Sequence, residues 1–140
     1  MKTLDMSAIG AGDYADVLST IFLAEQSFDE GNFAVHESLL HTDFSFTSPF
    51  GSFTATSEYM TWLHTFYEYV TAQGGTRHAV TNPIVRLDGE TATVHFYLLI
   101  FNRKSMTVMG TSTVVDVLQK RPDGWRFRSR TISTDQPPAA

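Results

Sequence analysis

Residues Glu90 to Asn102 read ETATVHFYLLIFN, which is the clearest structural signal in the chain. The run is rich in β-branched and aromatic residues and contains no glycine or proline, so it predicts one long strand. The dipeptide Asp88-Gly89 before it is a strong hairpin signal. Further strands are predicted over Arg77–Leu87 with a break near Asn82-Pro83, over Met106–Gln119, and, after a turn at Pro122-Asp123-Gly124, over Trp125–Thr134.

The first half of the chain is predicted to be mainly helical. Asp13 can cap a first helix, whose apolar residues recur with helical spacing until Gly31. Ser57 opens another helix, which ends at Gly74-Gly75. Between them the sequence predicts a short helix over Phe33–Leu40 capped by Asn32, a strand over Phe44–Thr47 and a turn over Ser48–Gly51. Helices followed by long antiparallel strands predict an α+β fold in which one curved sheet wraps over the helices.

Length and composition indicate a single domain. The chain has 140 residues, of which 42% are hydrophobic and 18% charged, which supports a hydrophobic core and excludes wholesale disorder. Because there is no cysteine, disulfides, thiolate nucleophiles and cysteine-ligated metal centres are excluded. We expect one domain over residues 13–134, with flexible ends at residues 1–12 and 135–140.

The charge distribution argues against nucleic acid and membrane partners. Ten Lys and Arg residues against fifteen Asp and Glu residues give a net charge of -5, whereas nucleic-acid binding needs a basic stripe. No apolar run approaches the roughly 20 residues that span a bilayer, and residues 1–12 do not read as a signal peptide. We therefore expect a cytoplasmic protein that binds neither nucleic acid nor membranes.

Several short motifs follow one another in a fixed order between Asp13 and Ser133. They are Phe28-Asp29, Leu39-Leu40, Thr76–Val80 (TRHAV), Asn82-Pro83, Asp88–Ala92 (DGETA) and Asp123–Phe127 (DGWRF) followed by Arg130. In this order and spacing the chain resembles the SnoaL-like branch of the nuclear transport factor 2-like superfamily. Relatives include scytalone dehydratase, bile-acid dehydratase, ketosteroid isomerase, polyketide cyclases and the small subunits of ring-hydroxylating dioxygenases. The resemblance implies a cone-shaped α+β fold, in which an antiparallel sheet and three helices enclose an apolar pocket.

His78 is the first candidate for chemistry. Strand alternation places it on one face with Val80 and Asn82, and an imidazole can take up and return a proton near neutral pH. A core histidine bonded to backbone is the alternative. The resemblance implies that His78 is the general acid/base and that Asp29 orients its ring; otherwise Asp29 lies in a solvated helix end. Glu25, one helical turn before Asp29, can approach the same pocket, and burial of both carboxylates would raise one pKa.

Further residues are candidates for substrate binding. Asp116 interrupts an apolar strand, which points to substrate contact, to a salt bridge with an arginine or to an outward-facing position. Within the long strand, His95, Tyr97 and Phe101 share a face that we expect to line the pocket. Phe28 and Phe101 stand where the resemblance implies polar groups in dehydratases, and Trp62 on the third helix is expected to face the cavity. The resemblance implies a structural or carboxylate-pairing role for Arg130.

The resulting hypothesis is a cofactor-independent lyase, isomerase or cyclase of secondary metabolism, acting on an apolar ring-bearing polyketide, terpenoid or steroid-like compound. His78 and Asp29 would move the proton, and Asp116 with Tyr97 or His95 would bind the substrate. No spacing of histidines and carboxylates nominates a metal site, so none is expected. The alternative is a non-catalytic ligand-binding module or a small subunit of the dioxygenase type. The resemblance also implies a homodimer formed through the sheet.

Overall fold

The computed structural model describes residues 12–136. This part of the chain contains three helices and six strands, in the order α1 (Gly12–Asp29), α2 (Phe33–Ser38), β1 (Leu40–Ser48), β2 (Gly51–Phe53), α3 (Thr56–Ala72), β3 (Thr76–Asp88), β4 (Thr91–Asn102), β5 (Val108–Arg121) and β6 (Gly124–Thr134). The predicted α+β class is confirmed. Every predicted helix and strand is present, although some of their ends differ, and the short strand β2 was not predicted.

The strands form one curved, open sheet in the order β2-β1-β6-β5-β4-β3. Neighbouring strands are antiparallel except for β1 and β6, which run parallel. The sequence did not predict this parallel pair, because the two strands lie at opposite ends of the chain. Asn82, with φ 53°, lies in an irregularity between Thr81 and Ile84, where β3 departs from regular pairing with β4.

Strand β1 is longer than predicted. It begins at Leu40, which pairs with Phe127, whereas the sequence placed Leu40 at the end of the short helix. The backbone N–H of Phe127 also donates a hydrogen bond of 2.9 Å to the carbonyl of Leu39. Pairing with β6 therefore outweighs the local helical preference of these two leucines.

The core lies between the helices and the concave face of the sheet. Along β4, alternate side chains point inward and are buried, namely Ala92, Val94, Phe96 and Leu98. On α1, Val17 and Ile21 are fully buried one turn apart. The helices and the sheet thus cover each other's apolar faces, and α1 ends where β3 begins.

The predicted flexible ends lie mostly outside the described residues, which exclude 1–11 and 137–140. Of the remainder, Gly12 belongs to α1, and Asp135 is tied to β5. The Asp135 backbone N–H donates to the carbonyl of Thr111 at 2.9 Å, and Thr111 Oγ1 donates to its carboxylate at 2.6 Å. No helix within residues 12–136 is long and apolar enough to cross a membrane.

Candidate active site

Helices α1 and α3 and the inner face of the sheet enclose a cavity of about 80 Å³. Its walls are mostly apolar and include the aromatic side chains of Phe28, Phe46, Phe50, Trp62 and Phe66. Within residues 12–136, the polar side chains of the lining are Glu25, His36, Tyr59, His78, Ser112 and Arg130. Apolar walls with a few convergent polar groups are typical of small-molecule sites.

Asp29 and His78 form a hydrogen-bonded pair in the wall of this cavity. His78 Nδ1 lies 2.6 Å from Asp29 Oδ1, and the two side chains are 7% and 5% exposed, respectively. Thr76 Oγ1 donates to the same carboxylate oxygen at 2.9 Å, and the His78 backbone N–H donates to Oδ2 at 2.8 Å. Because Asp29 ends α1 while Thr76 and His78 begin β3, the helix–strand contact fixes the carboxylate with three donors.

The pair determines which nitrogen of His78 is available for chemistry. The Asp29 carboxylate only accepts hydrogen bonds, so Nδ1 carries the hydrogen and a neutral ring has its lone pair on Nε2. His78 lines the cavity, and Nε2 has no hydrogen-bond partner within residues 12–136. The Phe28 ring packs edge-on against the imidazole, with centroids 5.3 Å apart. The ring is thus held in one orientation with a free base toward the cavity.

Arg130, which lines the same cavity, connects two buried carboxylates. Its Nε and Nη2 each donate to one oxygen of Asp116 at 2.8 Å, and Nη1 donates to Glu25 Oε1. The guanidinium also lies over the rings of Phe96 and Phe127, at 5.8 and 5.3 Å. A bidentate pair of this geometry is strong and directional, so Arg130 is held rigidly at the cavity.

The ion cluster shifts the pKa of each of its acids. Burial has the largest effect on the pKa of Glu25 and raises it, but the charges of Arg130 and His78 with the Arg130 hydrogen bond outweigh burial and lower the pKa. Burial also dominates at Asp116 and raises the pKa of that carboxyl, against the opposing influence of Arg130. The expected rise in pKa therefore does not occur at Glu25, because Arg130 compensates its burial.

His36 and Tyr59 form a second polar contact in the lining. His36 Nδ1 donates to the Ala24 carbonyl at 3.0 Å, and the Tyr59 hydroxyl donates to His36 Nε2 at 2.9 Å. Burial lowers the pKa of His36 to about 4, so its ring is neutral near pH 7. Burial likewise raises the pKa of the Tyr59 hydroxyl. Neither ring nitrogen of His36 has an unused position for substrate chemistry.

The structure brings some of the predicted site residues together and separates others. His78, Phe28 and Trp62 line the cavity, and Asp29 is bonded to His78. Asp116 is fully buried but is not part of the cavity lining. It forms a salt bridge with Arg130, which is one of the three alternatives that the sequence left open for this residue.

The expectation that His95, Tyr97 and Phe101 line the pocket is wrong. Their strand presents its other face, that of Phe96 and Leu98, to the core, so these three side chains lie on the outer face of β4. Tyr97 is 54% exposed. Phe101 is half-buried on the same outer set of positions and is not part of the lining.

Three polar lining residues were not predicted, namely His36, Tyr59 and Ser112. Ser112 carried a signal, because it shares a strand face with Asp116 and Val114. His36 and Tyr59 lie on helices with no spacing that pairs them, and only the packing of α2 against α3 joins them. Arg130 was predicted to have a structural or carboxylate-pairing role, but its place in the cavity lining was not predicted. Within residues 12–136, no three His, Asp or Glu side chains form a group suited to a metal ion.

A curved, open sheet over three helices, with a His–Asp pair in the wall of an apolar cavity, places the protein in the class of nuclear transport factor 2-like cones. The model of the SnoaL-like domain matches residues 11–131. The chain therefore belongs to the SnoaL-like domain family, which includes cyclases and dehydratases. None of the curated proteins compared with the chain matches it.

Solved structures share this fold over nearly the whole chain. An NTF2-like protein from Novosphingobium aromaticivorans has a TM-score of 0.81 at 18% identity, covering 99% of this chain and 95% of its own. A protein from Catenulispora acidiphila, solved in complex with S-DNPA, has a TM-score of 0.77 at 25% identity, with coverage of 89% and 95%. A candidate dehydratase of the NTF2-like family from Streptomyces avermitilis has a TM-score of 0.79 at 16% identity, with coverage of 91% and 99%.

Proposed function

We propose that the protein is a cofactor-independent acid/base enzyme, a lyase, isomerase or cyclase that acts on an apolar ring-bearing metabolite. The observation that carries this proposal is the 2.6 Å contact between Asp29 and His78 in the wall of a mostly apolar cavity. Membership of the SnoaL-like family supports the reaction class. Polyketide, terpenoid and steroid-like compounds have the ring systems that such walls suit, which is consistent with a role in secondary metabolism.

In this mechanism His78 Nε2 removes a proton from a carbon next to a carbonyl group of the substrate. The electron pair of the broken C–H bond forms an enolate, and the proton stays on the imidazolium, which Asp29 stabilises. Return of the proton to another carbon gives an isomer, whereas its transfer to a departing hydroxyl gives a dehydration. Acid/base placement of this kind contributes about 10²–10⁴-fold to the rate.

Arg130 is placed to stabilise the oxyanion of the enolate. Three of its five N–H groups bind Asp116 and Glu25, which leaves two for a bound molecule. The carboxylates keep the guanidinium charged although it is buried: burial alone lowers the pKa of Arg130, but Asp116 and Glu25 raise it well above its ordinary value. A donor fixed before the reaction loses no energy to reorganisation as charge develops.

The cavity must widen to admit a ring. Its volume of about 80 Å³ is far below the roughly 300–1,000 Å³ of ligand pockets. Phe50, in the turn between β1 and β2, lines the cavity while being 62% exposed, and it stacks on Phe66 with centroids 6.5 Å apart. Rotation of Phe50 toward solvent would enlarge the site without disturbing the buried core.

The small cavity also supports the alternative of a non-catalytic module, because side chains already fill most of the interior. The Asp29–His78 contact favours the enzyme, since a binding module needs no oriented base. One assay separates the two. Exchange of the α-protons of 2-tetralone in D₂O, followed by ¹H NMR, measures proton abstraction from an enolisable ring ketone without knowledge of the natural substrate.

The wild-type protein is expected to accelerate this exchange above the buffer rate, and His78→Ala is expected to remove the acceleration. Asp29→Asn should reduce it by about 10²-fold or more, because the ring loses the partner that sets its tautomer. Thr76→Val, which removes one donor to Asp29 and leaves the pair intact, is the matched control and should cost less than about 10-fold. A wild-type protein without exchange activity would contradict the enzyme and favour the binding module.

We also propose that the protein forms a homodimer through the outer face of the sheet. Large apolar side chains are exposed on strands β3, β4 and β5, including Ile84 at 61%, Tyr97 at 54% and Val108 at 55%. Apolar surface of this kind is more frequent at protein interfaces than elsewhere on the surface.

A further inference from the structure

We propose that Glu25 accepts a hydrogen bond from a hydroxyl group of the substrate, so that uncharged, hydroxylated ring compounds are the substrate class. This inference rests on the proposed function in one respect, namely that the cavity is the substrate site. It assigns a binding role to a carboxylate that the proton-transfer steps of His78 do not use.

Glu25 is a buried carboxylate with one oxygen left over. It lies on α1, is 5% exposed and contributes to the cavity lining. Its Oε1 accepts a hydrogen bond from Arg130 Nη1. Its Oε2 has no hydrogen-bond partner within residues 12–136. Oε2 is not among the fully buried polar atoms that lack a partner in this part of the chain, so it is open to the cavity, where a donor on a bound molecule can reach it.

The carboxylate is charged when it meets that donor. Although burial is the largest influence on the pKa of Glu25 and raises it, the charge and hydrogen bond of Arg130 oppose burial, and the pKa lies below its ordinary value. Glu25 is therefore an anionic acceptor near neutral pH. A hydrogen bond to an ionised acceptor is stronger than one between neutral groups.

The charges around the cavity disfavour an ionic substrate of either sign. Two carboxylates, those of Glu25 and Asp116, bind the guanidinium of Arg130, a third, that of Asp29, binds His78, and His36 is neutral. A substrate carboxylate would add a fourth negative charge in an apolar site. A substrate ammonium at Glu25 would lie against Arg130, which occupies the other oxygen of the same carboxylate. A neutral hydroxyl avoids both repulsions and still supplies the missing donor.

Glu25 and His78 together would also orient the ring of the substrate. Glu25 and Asp29 are one helical turn apart on α1, and Asp29 holds His78. A hydroxyl bound at Glu25 therefore places the same ring beside His78 Nε2. Ser112, buried on β5 and lining the cavity, adds a neutral hydroxyl on the sheet side.

Three probes with one ring system test the inference by calorimetry at pH 7: 2-naphthol, 2-methoxynaphthalene and 2-naphthoate. They present, respectively, a donor, the same oxygen without its hydrogen, and an anion. The wild-type protein should bind 2-naphthol at least about 10-fold more tightly than 2-methoxynaphthalene, the value of one charge-assisted hydrogen bond. It should bind 2-naphthoate more weakly than either neutral probe.

Glu25→Gln should reverse the preference for the donor. Arg130 Nη1 requires an acceptor, so the carbonyl of the new amide side chain would face Arg130 and its NH₂ group would face the cavity. The variant would then bind 2-methoxynaphthalene as tightly as 2-naphthol or more tightly. Glu30→Gln is the matched control, because Glu30 lies on the surface just after α1 and pairs with Arg77 at 3.2 Å. Glu30→Gln should leave the ratio of the affinities for 2-naphthol and 2-methoxynaphthalene as it is in the wild-type protein.

Equal affinity of the wild-type protein for 2-naphthol and 2-methoxynaphthalene would overturn the inference, as would no binding of 2-naphthol up to its solubility limit. This comparison needs no variant, so it also decides the question if Glu25→Gln does not fold. The two proposals fail separately. Donor selectivity without 2-tetralone exchange would contradict the enzyme and leave the role of Glu25 standing, whereas exchange without donor selectivity would contradict only the role of Glu25.

Discussion

His36 and His78 line the same cavity, yet their ring nitrogens are engaged differently. Both nitrogens of His36 are occupied, one by the Ala24 carbonyl and the other by the Tyr59 hydroxyl. His78 uses one nitrogen to bond Asp29 and leaves the other toward the cavity. The same residue type is thus a packing element in one case and a candidate base in the other, and the difference lies in the partners rather than in burial.

The neutral, buried state of His36 predicts a pH-dependent stability. Its pKa is about 4 in the folded protein against 6.5 for the free side chain. Between these values the unfolded chain binds a proton that the folded protein does not, so the free energy of unfolding falls as the pH is lowered from 6.5 to 4. The full loss is about 3 kcal/mol, and stability from this source is complete above pH 6.5.

Urea unfolding of the wild-type protein and of His36→Gln at a series of pH values measures this effect. Glutamine can accept from Tyr59 and donate to the Ala24 carbonyl but does not titrate, so the variant should show a flatter profile between pH 4 and 6.5. The low pKa of Glu25 also contributes a loss of stability at acidic pH, but it does so in both proteins. Parallel profiles for the two proteins would contradict a neutral His36.

At the scale of elements, the turn after α1 determines where Asp29 points. The Gly31 backbone N–H donates to the Phe28 carbonyl at 2.9 Å, and that of Asn32 donates to the Ser27 carbonyl at 2.7 Å, which closes the helix. Gly31 has φ +69°, and a Cβ there would lie 2.6 Å from the Tyr67 hydroxyl oxygen. The turn therefore needs glycine for its backbone conformation and for the close approach of α3.

Gly31→Ala should lower the free energy of unfolding by about 2–3 kcal/mol, because it adds a steric conflict to left-handed backbone strain. Gly89→Ala is the matched control: Gly89 has φ +58°, but a Cβ there would have nothing within 4 Å. That variant should lose only about 1 kcal/mol. Urea unfolding of both variants measures the difference, and equal losses would show that the contact with Tyr67 adds nothing.

Strand β4 shows which part of an element could be predicted from sequence. Its extent followed from its β-branched and aromatic residues and the flanking turns. Which face of the strand is buried could not be predicted, because both faces are apolar. Phe96 and Leu98 face the core, while Tyr97 and Leu99 face outward. Period 2 assigns residues to faces but does not say which face is buried when both are hydrophobic.

For the molecule as a whole, contacts within recognisable motifs could be predicted and contacts between unrelated segments could not. The sequence and the family resemblance together joined Asp29 to His78 across 49 residues. Nothing in the sequence joined Glu25 to Arg130. The two residues are 105 positions apart, and charged residues usually lie on the protein surface, so a buried pair was not expected. The parallel contact of β1 with β6, which carries Arg130, likewise depends on the closure of the whole sheet.

The proposed homodimer gives a prediction at this scale. Light scattering after size-exclusion chromatography should show twice the mass of the chain. Tyr97→Arg places a charge in the proposed interface and should yield a monomer, because burying an unpaired charge is costly. Tyr69→Arg, at a position 62% exposed on α3, is the matched control and should remain dimeric. A monomeric wild-type protein, or a dimer unaffected by Tyr97→Arg, would contradict an interface on this face.

The central claim is that His78 acts as the base on a molecule bound in the cavity. Chemical rescue tests it most directly: the rate of 2-tetralone exchange is measured for His78→Ala with increasing concentrations of imidazole, after circular dichroism has shown that the variant is folded. The mechanism predicts that exchange, lost in His78→Ala, returns in proportion to imidazole and exceeds the rate of imidazole in buffer alone. Exchange at the wild-type rate in folded His78→Ala without imidazole would contradict it.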